Sequence, residues 1–298
     1  MVTNHLKAKI LFPLLNKSKK NNFKMMGVIN ITPNSFSDGG EFNHVESFKK
    51  QIQYLKSYGL KIFDLGAEST APFNEAISNQ VELERLVPFL ELIKSGDIFS
   101  SSDTLSFDTY KIETMRFILE SLKGSSFKGD IIWNDVSGVI DSALFDLMDE
   151  YSFTYVYSHN LVPSRDETSH HMNYVSEKID LVSYFSEAHA IFSQAGVMNR
   201  VIFDPCFGFA KSKEQNYQLL TSIDKWCSDK YRWLIGISRK SFLQALSQEE
   251  EKSQRIMHSE LIHSHLLRQW MDEFPNYDIT IRLHDPRVFQ TAVRGYLS

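Results

Sequence analysis

The sequence predicts an α/β protein folded as a (β/α)8 TIM barrel, a single domain with a short N-terminal arm or hairpin. From residue 25 onward, eight short apolar runs alternate with eight segments of helical spacing. The length of 298 residues fits one large barrel or two small domains. Because no proline-rich or serine-rich linker interrupts the alternation, we predict an arm over residues 1–24 and one barrel over residues 25–298.

The predicted strands are short, β-rich apolar runs. The first, residues 25–30, ends at Asn30 and opens into a long polar loop that ends in two glycines at residue 40. The others are predicted at residues 62–68, 105–109, 131–137, 154–159, 201–205, 233–238 and 279–284. Parallel strands need long crossover connections, so we expect a helix between successive strands.

The predicted helices follow the strands in the same order, at residues 45–58, 79–93, 111–122, 142–150, 174–195, 214–223, 253–271 and 286–297. Within residues 253–271, apolar side chains recur at a helical period at Ile256, Met257, Leu261, Leu266, Leu267 and Trp270. The acidic residues just before this segment suit a helix N-terminus, where negative charge is favoured.

Composition and charge argue against several classes of protein. The formal net charge of −5 argues against a nucleic-acid partner, since phosphate binding needs a concentrated basic surface. No apolar stretch approaches the roughly 20 residues that span a bilayer, and the lysine-flanked N-terminal segment lacks the order of a signal peptide. We therefore expect no membrane association. Cys206 and Cys227 lack metal-ligand spacing, so we expect free thiols and a cytoplasmic location.

Polar side chains follow every predicted strand. In a (β/α)8 barrel the active site lies at the carboxyl ends of the strands. Because the strand interiors are otherwise apolar, we expect these polar groups to converge on one pocket. They are Asn30, Glu68, Asp108, Asn134, His159, Asp204, Ser238, Lys240, Arg282 and His284.

The acidic and amide members of this set suit a flat heterocycle. Asp108, Asn134 and Asp204 supply acceptors and an amide that match amino, ring N–H and carbonyl positions. Each residue also has a structural alternative. Asp108 could cap the helix that begins near Tyr110, and Asn134 and Asp204 could be buried partners of backbone groups.

The basic members suit phosphate. Lys240, Arg282 and His284 supply positive charge or donors that bind phosphate or pyrophosphate. Asn30 offers a neutral oxygen for a divalent ion that bridges phosphates. Alternatively, His284 is a satisfied core histidine and Arg282 a rim charge. Taken together, these residues predict a substrate in which a heterocycle is joined to a diphosphate.

The motifs that carry these residues resemble those of the dihydropteroate synthase family of folate biosynthesis. The resemblance runs from about residue 25 to the C-terminus, and the motifs stand in the family's order. They are MGVINITPNSFSDGG at 26–40, DLGAEST at 64–70, SFDTYK at 106–111, NDVSG at 134–138, DPCFGFAK at 204–211, SRKSF at 238–242 and RLHD at 282–285.

The resemblance implies a transferase that joins p-aminobenzoate to 6-hydroxymethyl-7,8-dihydropterin diphosphate, giving 7,8-dihydropteroate and pyrophosphate. It implies a dissociative displacement assisted by Mg²⁺, with Asn30 as a metal ligand and Asp38 beside the positive methylene centre. The weakly basic aniline amine needs placement more than deprotonation, so we expect no dedicated nucleophile or general base on the protein.

The resemblance also assigns residues to the two substrates. The pterin would be held by Asp108, Asn134, Asp204 and Lys240, with Arg282 stacked on its ring. The diphosphate would be bound by Arg282 and His284, which with Lys240 and Asp38 form the expected catalytic set. The p-aminobenzoate pocket would be shaped by Phe36, Thr70, Pro72, Phe209 and Ser238. Sulfonamides, which imitate p-aminobenzoate, would inhibit such an enzyme.

The sequence departs from the family pattern at a few positions. Ala71 stands where an arginine usually helps with the diphosphate or anchors the loop, and Lys211 or Arg239 could compensate if the fold brings them near. Three further departures are Ser158 for a methionine, Asn34 for an aspartate and Ala210 for a glycine.

Three alternative functions would also fit parts of this sequence. A pterin-binding paralogue without catalytic activity would fit the loss of the arginine at Ala71. A methyltetrahydrofolate methyltransferase shares the fold and pterin pocket, but it has no diphosphate for Lys240 and His284 to hold. An unrelated phosphate-binding barrel would leave the paired carboxylates unexplained. By resemblance we also expect a homodimer, with residues 253–271 as a candidate surface unless their apolar side chains face the barrel.

Overall fold

The computed structural model describes residues 22–32, 41–68 and 75–294. The side chains of residues 41–44 and 294 are not described. The predicted arm over residues 1–24 therefore lies mostly outside the described chain, as do most of the loop after the first strand and residues 69–74.

Eight parallel strands close into one barrel in chain order, and the last strand pairs with the first. The (β/α)8 fold predicted from the alternation is therefore confirmed. The strands are β1 (Lys24–Asn30), β2 (Ile62–Gly66), β3 (Thr104–Asp108), β4 (Asp130–Asp135), β5 (Thr154–Ser158), β6 (Val201–Asp204), β7 (Arg232–Ile235) and β8 (Asp278–Leu283).

Each strand is followed by a helix that packs on the outside of the barrel. In chain order these are α1 (Glu41–Ser57), α2 (Asn79–Ser95), α3 (Ile112–Leu122), α4 (Ser142–Glu150), α5 (Leu181–Gln194), α6 (Lys213–Thr221), α7 (Lys252–Glu273) and α8 (Pro286–Arg294). Shorter helical turns lie in the connections, at Arg165–Tyr174, Met198–Arg200, Ile223–Trp226 and Ser241–Gln244.

Side-chain caps explain where several helices begin. Ser78, Asp141 and Asp180 each accept a hydrogen bond from a backbone N–H in the first turn of the helix that follows. The expected helix over residues 174–195 is wrong at its start, because α5 begins only after the Asp180 cap and residues 175–180 are not helical. The preceding Arg165–Tyr174 segment is 3₁₀ helix instead.

Several predicted strands run too far at their carboxyl ends. β2, β4 and β7 stop at Gly66, Asp135 and Ile235, two or three residues before the predicted ends. After β4 the chain turns because Asp135 accepts the backbone N–H of Ser137 at 2.8 Å and Gly138 adopts φ 69°. These segments leave the ladder to form the rim of the barrel.

The interior of the barrel is apolar at one level and polar at the next. A small cluster of Met26, Ile132, Val156, Ile202 and Leu234 fills the inside of the sheet. Side chains alternate along a strand, so the inward residue two positions after Ile132 is Asn134. The polar side chains therefore lie directly above a packed floor, at the carboxyl ends of the strands.

The main core lies between the sheet and the helices, and it is rich in aromatic side chains such as Trp133 and Trp233. Cys206 and Cys227 are both buried and free. Among the described residues, the helices are all too short or too polar to cross a membrane.

Candidate active site

A cavity of about 370 Å³ opens at the carboxyl ends of the barrel strands. It brings together most of the polar residues that the sequence analysis placed at strand ends. Those that line it are Asn30, Glu68, Asp108, Asn134, Asp204, Ser238, Lys240, Arg282 and His284, and Phe209 joins them from the loop after β6.

His159 does not join this group, so the expectation that every strand contributes a residue is wrong for β5. The His159 side chain is 3% exposed, and its ring lies 4.5 Å from the ring of Tyr184. Burial and the nearby charge of Lys211 lower the pKa of His159 to about 2. It is a neutral core histidine.

Four predicted site residues lie outside the described chain. They are Phe36 and Asp38 in the loop after β1, and Thr70 and Pro72 in the loop after β2. Ala71 and Asn34, two of the departures from the family pattern, lie in the same segments. The cavity described here is therefore the part of the site that the strand ends and the later loops build.

The sequence analysis missed Asp64 as a functional residue. Its carboxylate is fully buried inside the barrel, where Oδ1 accepts the Ser106 hydroxyl at 2.5 Å. The Asn134 amide donates to both Asp64 oxygens at 3.2 and 3.3 Å, and Arg282 Nε donates to Oδ2 at 2.6 Å. The signal was a lone charged residue in an otherwise apolar strand, a position that almost always has a partner.

Arg282 bridges two carboxylates at the floor of the cavity. Besides Asp64, it bonds Asp108 Oδ2 through one terminal nitrogen at 2.5 Å. Burial opposes its charge, but Asp64 and Asp108 raise the pKa of Arg282 above its usual value. Arg282 is therefore a half-buried cation paired with two carboxylates, which excludes the alternative of a loosely held rim charge.

Asp108 does not cap a helix. The N-cap of α3 is Lys111, and Asp108 turns toward Arg282. Burial, only partly offset by Arg282, raises the pKa of Asp108 to about 7. Its Oδ1 atom is buried and has no hydrogen-bond partner among the described residues. Such an atom costs free energy until it finds a donor.

Asn134 presents a second acceptor of this kind. While its amide nitrogen is held by Asp64, its Oδ1 is buried and unpartnered in the described part of the chain. Since Asp108 Oδ1 and Asn134 Oδ1 belong to residues lining one cavity, they form a pair of acceptors on its wall. Donors from a bound ligand would satisfy both.

Asp204 combines the two interpretations that the sequence left open. Its Oδ1 accepts the backbone N–H of Cys206 at 2.6 Å, and its side chain also lines the cavity. Burial raises the pKa of Asp204 to about 6, although the Cys206 N–H and Lys240 act in the opposite direction. The carboxyl group is therefore poised to change charge near neutral pH.

Lys240 completes this wall. Its ammonium lies 4.5 Å from the centre of the Phe209 ring, which covers it as a cation–π partner. Burial and the charge of Arg282 lower the pKa of Lys240. The carboxylates of Asp204 and Asp108 oppose that effect.

The two cations considered as replacements for the missing loop arginine have different positions. Lys211 is 2% exposed and its ammonium donates to the carbonyls of His159, Cys206 and Phe209 at 3.0–3.1 Å. It is committed to the loop after β6. Arg239 lines the cavity, where its Nε donates to Glu260 at 3.1 Å. Only Arg239 of the two is placed to meet a ligand.

Ser238 and His284 form one unit. Ser238 Oγ lies 3.0 Å from His284 Nδ1, accepts the His284 backbone N–H at 3.2 Å and donates to Glu260 at 3.0 Å. Its hydroxyl is therefore already bonded. Burial and the charge of Arg282 lower the pKa of His284 to about 3, so the ring is neutral at pH 7 in this state.

The described residues offer a limited ligand set for a metal. No group of three or more histidine, cysteine or acidic side chains is arranged to hold one within the part of the chain that the structure describes. Asn30, whose side chain lines the cavity, supplies one neutral oxygen. Mg²⁺ commonly takes one or two protein ligands together with phosphates and waters. The residues fit a metal that is bound together with a phosphorylated ligand.

The arrangement offers two kinds of chemistry within one cavity. Buried oxygen acceptors and Lys240 line one wall, and they match the edge of a flat ring that carries N–H groups and a carbonyl. Arg239 and Arg282 line the same cavity as cations and His284 as a neutral ring, and such groups suit phosphate oxygens. A ring joined to a phosphorylated tail fits this combination.

Comparison with known proteins agrees with this geometry. Residues 26–273 match the model of the pterin binding enzyme family. A curated dihydropteroate synthase of Streptococcus pyogenes serotype M6 is 37% identical over 228 residues, which are 76% of this chain and 78% of that protein.

Solved structures give the same result. The dihydropteroate synthase of Xanthomonas albilineans with 4-aminobenzoic acid aligns with a TM-score of 0.70 and 29% identity, covering 91% of this chain and 90% of that one. The enzyme of Anaplasma phagocytophilum with bound 6-hydroxymethylpterin-monophosphate aligns with a TM-score of 0.69 and 25% identity, covering 92% and 97%.

Proposed function

The chain belongs to the pterin binding enzymes, as a transferase of the dihydropteroate synthase family, and from this premise we propose its reaction. It condenses 6-hydroxymethyl-7,8-dihydropterin diphosphate with p-aminobenzoate, giving 7,8-dihydropteroate and pyrophosphate. The relatives' ligands support both halves of the proposal, since one solved structure holds 4-aminobenzoic acid and another a 6-hydroxymethylpterin monophosphate.

The observation that carries the proposal is the pair of buried, unpartnered acceptors in a cavity that also holds cations. Asp108 Oδ1 and Asn134 Oδ1 lack donors among the described residues, and Asp204 lines the same cavity. A pterin ring carries amino and ring N–H donors that would satisfy them, and its carbonyl would accept from Lys240. In this proposal the four residues bind the pterin.

The diphosphate lies toward Arg282 and His284 in the proposed complex. The methylene–oxygen bond breaks with its electron pair on the departing pyrophosphate, and the electron-rich ring stabilises the cation-like carbon that remains. Arg282, a permanent cation, stabilises the charge that develops on the leaving group. Arg239 lines the same cavity and, in the proposal, takes the place of the arginine that the family usually has at the position of Ala71.

Asn30 is the protein ligand that we assign to Mg²⁺. The ion therefore fits the proposed site when the bound diphosphate supplies further oxygen ligands. When bound, it would neutralise charge on the leaving phosphates. Asp38, in the proposed mechanism, stabilises the positive methylene carbon.

The amine of p-aminobenzoate attacks as a neutral nucleophile, so this chain's task is to place it. Phe209 and the Ser238 backbone contribute to its pocket, and Phe36, Thr70 and Pro72 complete it in the proposal. The Ser238 hydroxyl is excluded from substrate contact in the described state, because it is bonded to His284 and Glu260. We keep the homodimer, the cytoplasmic location and sulfonamide sensitivity as parts of the proposal.

The decisive test is pyrophosphate release by the purified chain with Mg²⁺. We expect release only when the pterin diphosphate and p-aminobenzoate are both present, with dihydropteroate formed in equal amount. Sulfonamide should inhibit competitively with p-aminobenzoate. If the chain binds the pterin tightly but releases no pyrophosphate, it is a binding paralogue and the proposed reaction is wrong.

A further inference from the structure

A carboxylate outside the cavity is connected to His284 through one hydroxyl. Glu260 lies in α7, and its side chain is 12% exposed. Its Oε1 lies 3.0 Å from Ser238 Oγ, which in turn lies 3.0 Å from His284 Nδ1. The Ser238 oxygen also accepts the backbone N–H of His284 at 3.2 Å.

The hydroxyl has one proton and two lone pairs, which fixes the direction of each bond. Glu260 also faces Arg239, at 3.1 Å, and the fully buried ring of His263, at 3.6 Å. Although burial opposes its charge, these neighbours and Ser238 hold the pKa of Glu260 below its usual range. An ionised carboxylate can only accept, so the Ser238 proton points to Glu260.

Both lone pairs of Ser238 are then left for His284. One accepts the backbone N–H, and the other faces Nδ1. A second lone pair at Nδ1 would repel it, so Nδ1 must carry a hydrogen. We propose that Glu260 is a positioning residue that, through Ser238, holds neutral His284 with its hydrogen on Nδ1 and its Nε2 lone pair toward the cavity.

This tautomer gives His284 a role that a phosphate-binding cation does not have, and that consequence rests on the proposed function. When the C–N bond forms, the amine nitrogen must lose one proton. The N–H bond breaks, its electron pair stays on nitrogen, and Nε2 of His284 accepts the proton. This step departs from the expectation that the protein supplies no general base, because here a base takes the proton that the amine loses when the C–N bond forms. The resulting imidazolium then lies beside the departing pyrophosphate and offsets its charge.

The tautomer can be measured in the free enzyme by NMR of ¹⁵N-labelled histidine. The chain has 10 histidines, and the variant His284→Gln identifies the signals of that ring. We expect the wild-type ring to show the Nδ1–H pattern. In Glu260→Gln the new amide can donate to Ser238 Oγ, so the hydroxyl proton turns to Nδ1 and the Nε2–H form becomes populated.

Two control variants separate this effect from general ones. Glu273→Gln makes the same change at an exposed position of α7, and it should leave the His284 tautomer as in wild type. Arg239→Ala removes the other donor to the same Glu260 oxygen, and it should also leave the tautomer unchanged. If Glu260→Gln does not fold, Ser238→Ala removes the same connection, and His284 should then lose its preference for the Nδ1–H tautomer.

Kinetics supply a second readout. Glu260→Gln should lower kcat by roughly tenfold, as loss of proton-transfer geometry does, with KM for the pterin diphosphate changed by less than about twofold. Adding Glu260→Gln to Ser238→Ala should have no further effect, because the connection is already broken. A wild-type ring with hydrogen on Nε2, or a tautomer unmoved by Glu260→Gln, would overturn the proposal. A chain without activity would instead refute the proposed reaction.

Discussion

Asp64 is fully buried, and its carboxylate holds two of the side chains that line the cavity. The Asn134 amide and the Arg282 guanidinium both bond to it. This arrangement fixes which atom of Asn134 faces a ligand, because the nitrogen is held and the oxygen is left over. The specificity of the site therefore depends on a residue that makes no contact with the proposed substrate.

We predict that Asp64→Asn destabilises the fold and weakens pterin binding together. Removing one charge from a buried pair leaves Arg282 partly uncompensated, which costs about 2–4 kcal/mol. Urea unfolding measures the stability, and calorimetric titration with the pterin measures the affinity. Asp97→Asn, an exposed control for the same change, should alter neither. Wild-type affinity in Asp64→Asn would contradict the positioning role.

Asp204 should lower the stability of the folded protein while contributing to pterin binding. Its pKa is raised to about 6 by burial, so the folded state holds the proton more tightly than the unfolded state does. The free energy of unfolding from this group therefore falls as pH rises toward 6 and stays reduced above it. Asp204→Asn should stabilise the protein at pH 7.5 by on the order of 1–3 kcal/mol while abolishing tight pterin binding.

The pH dependence gives the check on Asp204. The stability gain of Asp204→Asn should shrink as pH falls below 6 and disappear below about pH 3, where Asp204 is protonated in both states. In the wild type, pterin affinity should fall as pH drops through about 6, because a protonated carboxyl loses an acceptor. Asp229→Asn, an exposed control, should show neither effect. A destabilised Asp204→Asn at pH 7.5 would be the contrary result.

His284→Ala should lower turnover more than it weakens binding of the pterin. The ring lies on the leaving-group side, so its loss removes interactions made mainly as the pyrophosphate departs. We expect kcat to fall on the order of tenfold or more, with the dissociation constant of the pterin diphosphate changed by less than about threefold. Single-turnover kinetics and equilibrium titration measure the two quantities. Equal losses in both would argue against the role.

At the scale of elements, the loop after β6 is held in an unusual backbone shape. Cys206 and Ala210 adopt φ 53° and 47°, a region that favours glycine, with Gly208 between them at 84°. Lys211 stabilises this shape by donating to three carbonyls of the neighbouring backbone. The loop carries Phe209 over Lys240, so its conformation sets one wall of the cavity.

Lys211→Met should therefore loosen the loop. It fills similar space but leaves three buried carbonyls without this donor, which costs about 2–4 kcal/mol. We expect a lower urea midpoint and weaker pterin binding, since Phe209 and Lys240 are no longer held in place. Lys213→Met, two residues away and exposed, should change stability by less than about 0.5 kcal/mol. Unchanged pterin binding in Lys211→Met would show that the loop holds its shape without this clamp.

The apolar side chains of α7 are divided between a face that packs on the barrel and a face that is exposed. Leu267 and Trp270 are buried against the barrel, as the plainer interpretation held. Met257 and Leu261 are 55% and 57% exposed on another face. Their exposure leaves that face available to solvent or to another molecule, and the homodimer stays a prediction.

Across the whole molecule, the fold was predictable because the spacing of apolar residues in each strand or helix is visible in that segment alone. The site was predictable where a polar side chain ends a strand, since closure of the barrel brings all such ends to one rim. The prediction for His159 was wrong because a residue just past a strand can turn into the core as easily as into the mouth of the barrel.

The hydrogen bonds between side chains of the site could not be predicted from the sequence. Asp64 was missed because it lies within a strand and not at its end. The bonds of the Ser238 hydroxyl depend on Glu260, which is 22 residues away along the chain and reaches it only through the packing of α7. Lys211 and Arg239 could not be told apart until the loop conformations were known.

The central claim is that one cavity holds the pterin by its buried acceptors and the diphosphate by its cations. A crystal structure of the chain with 6-hydroxymethyl-7,8-dihydropterin diphosphate, without p-aminobenzoate, tests it most directly. We predict N–H groups of the ring within hydrogen-bond distance of Asp108 Oδ1 and Asn134 Oδ1, with the phosphates beside Arg282 and His284. A ring bound elsewhere, with those two oxygens still unpartnered, would contradict the account.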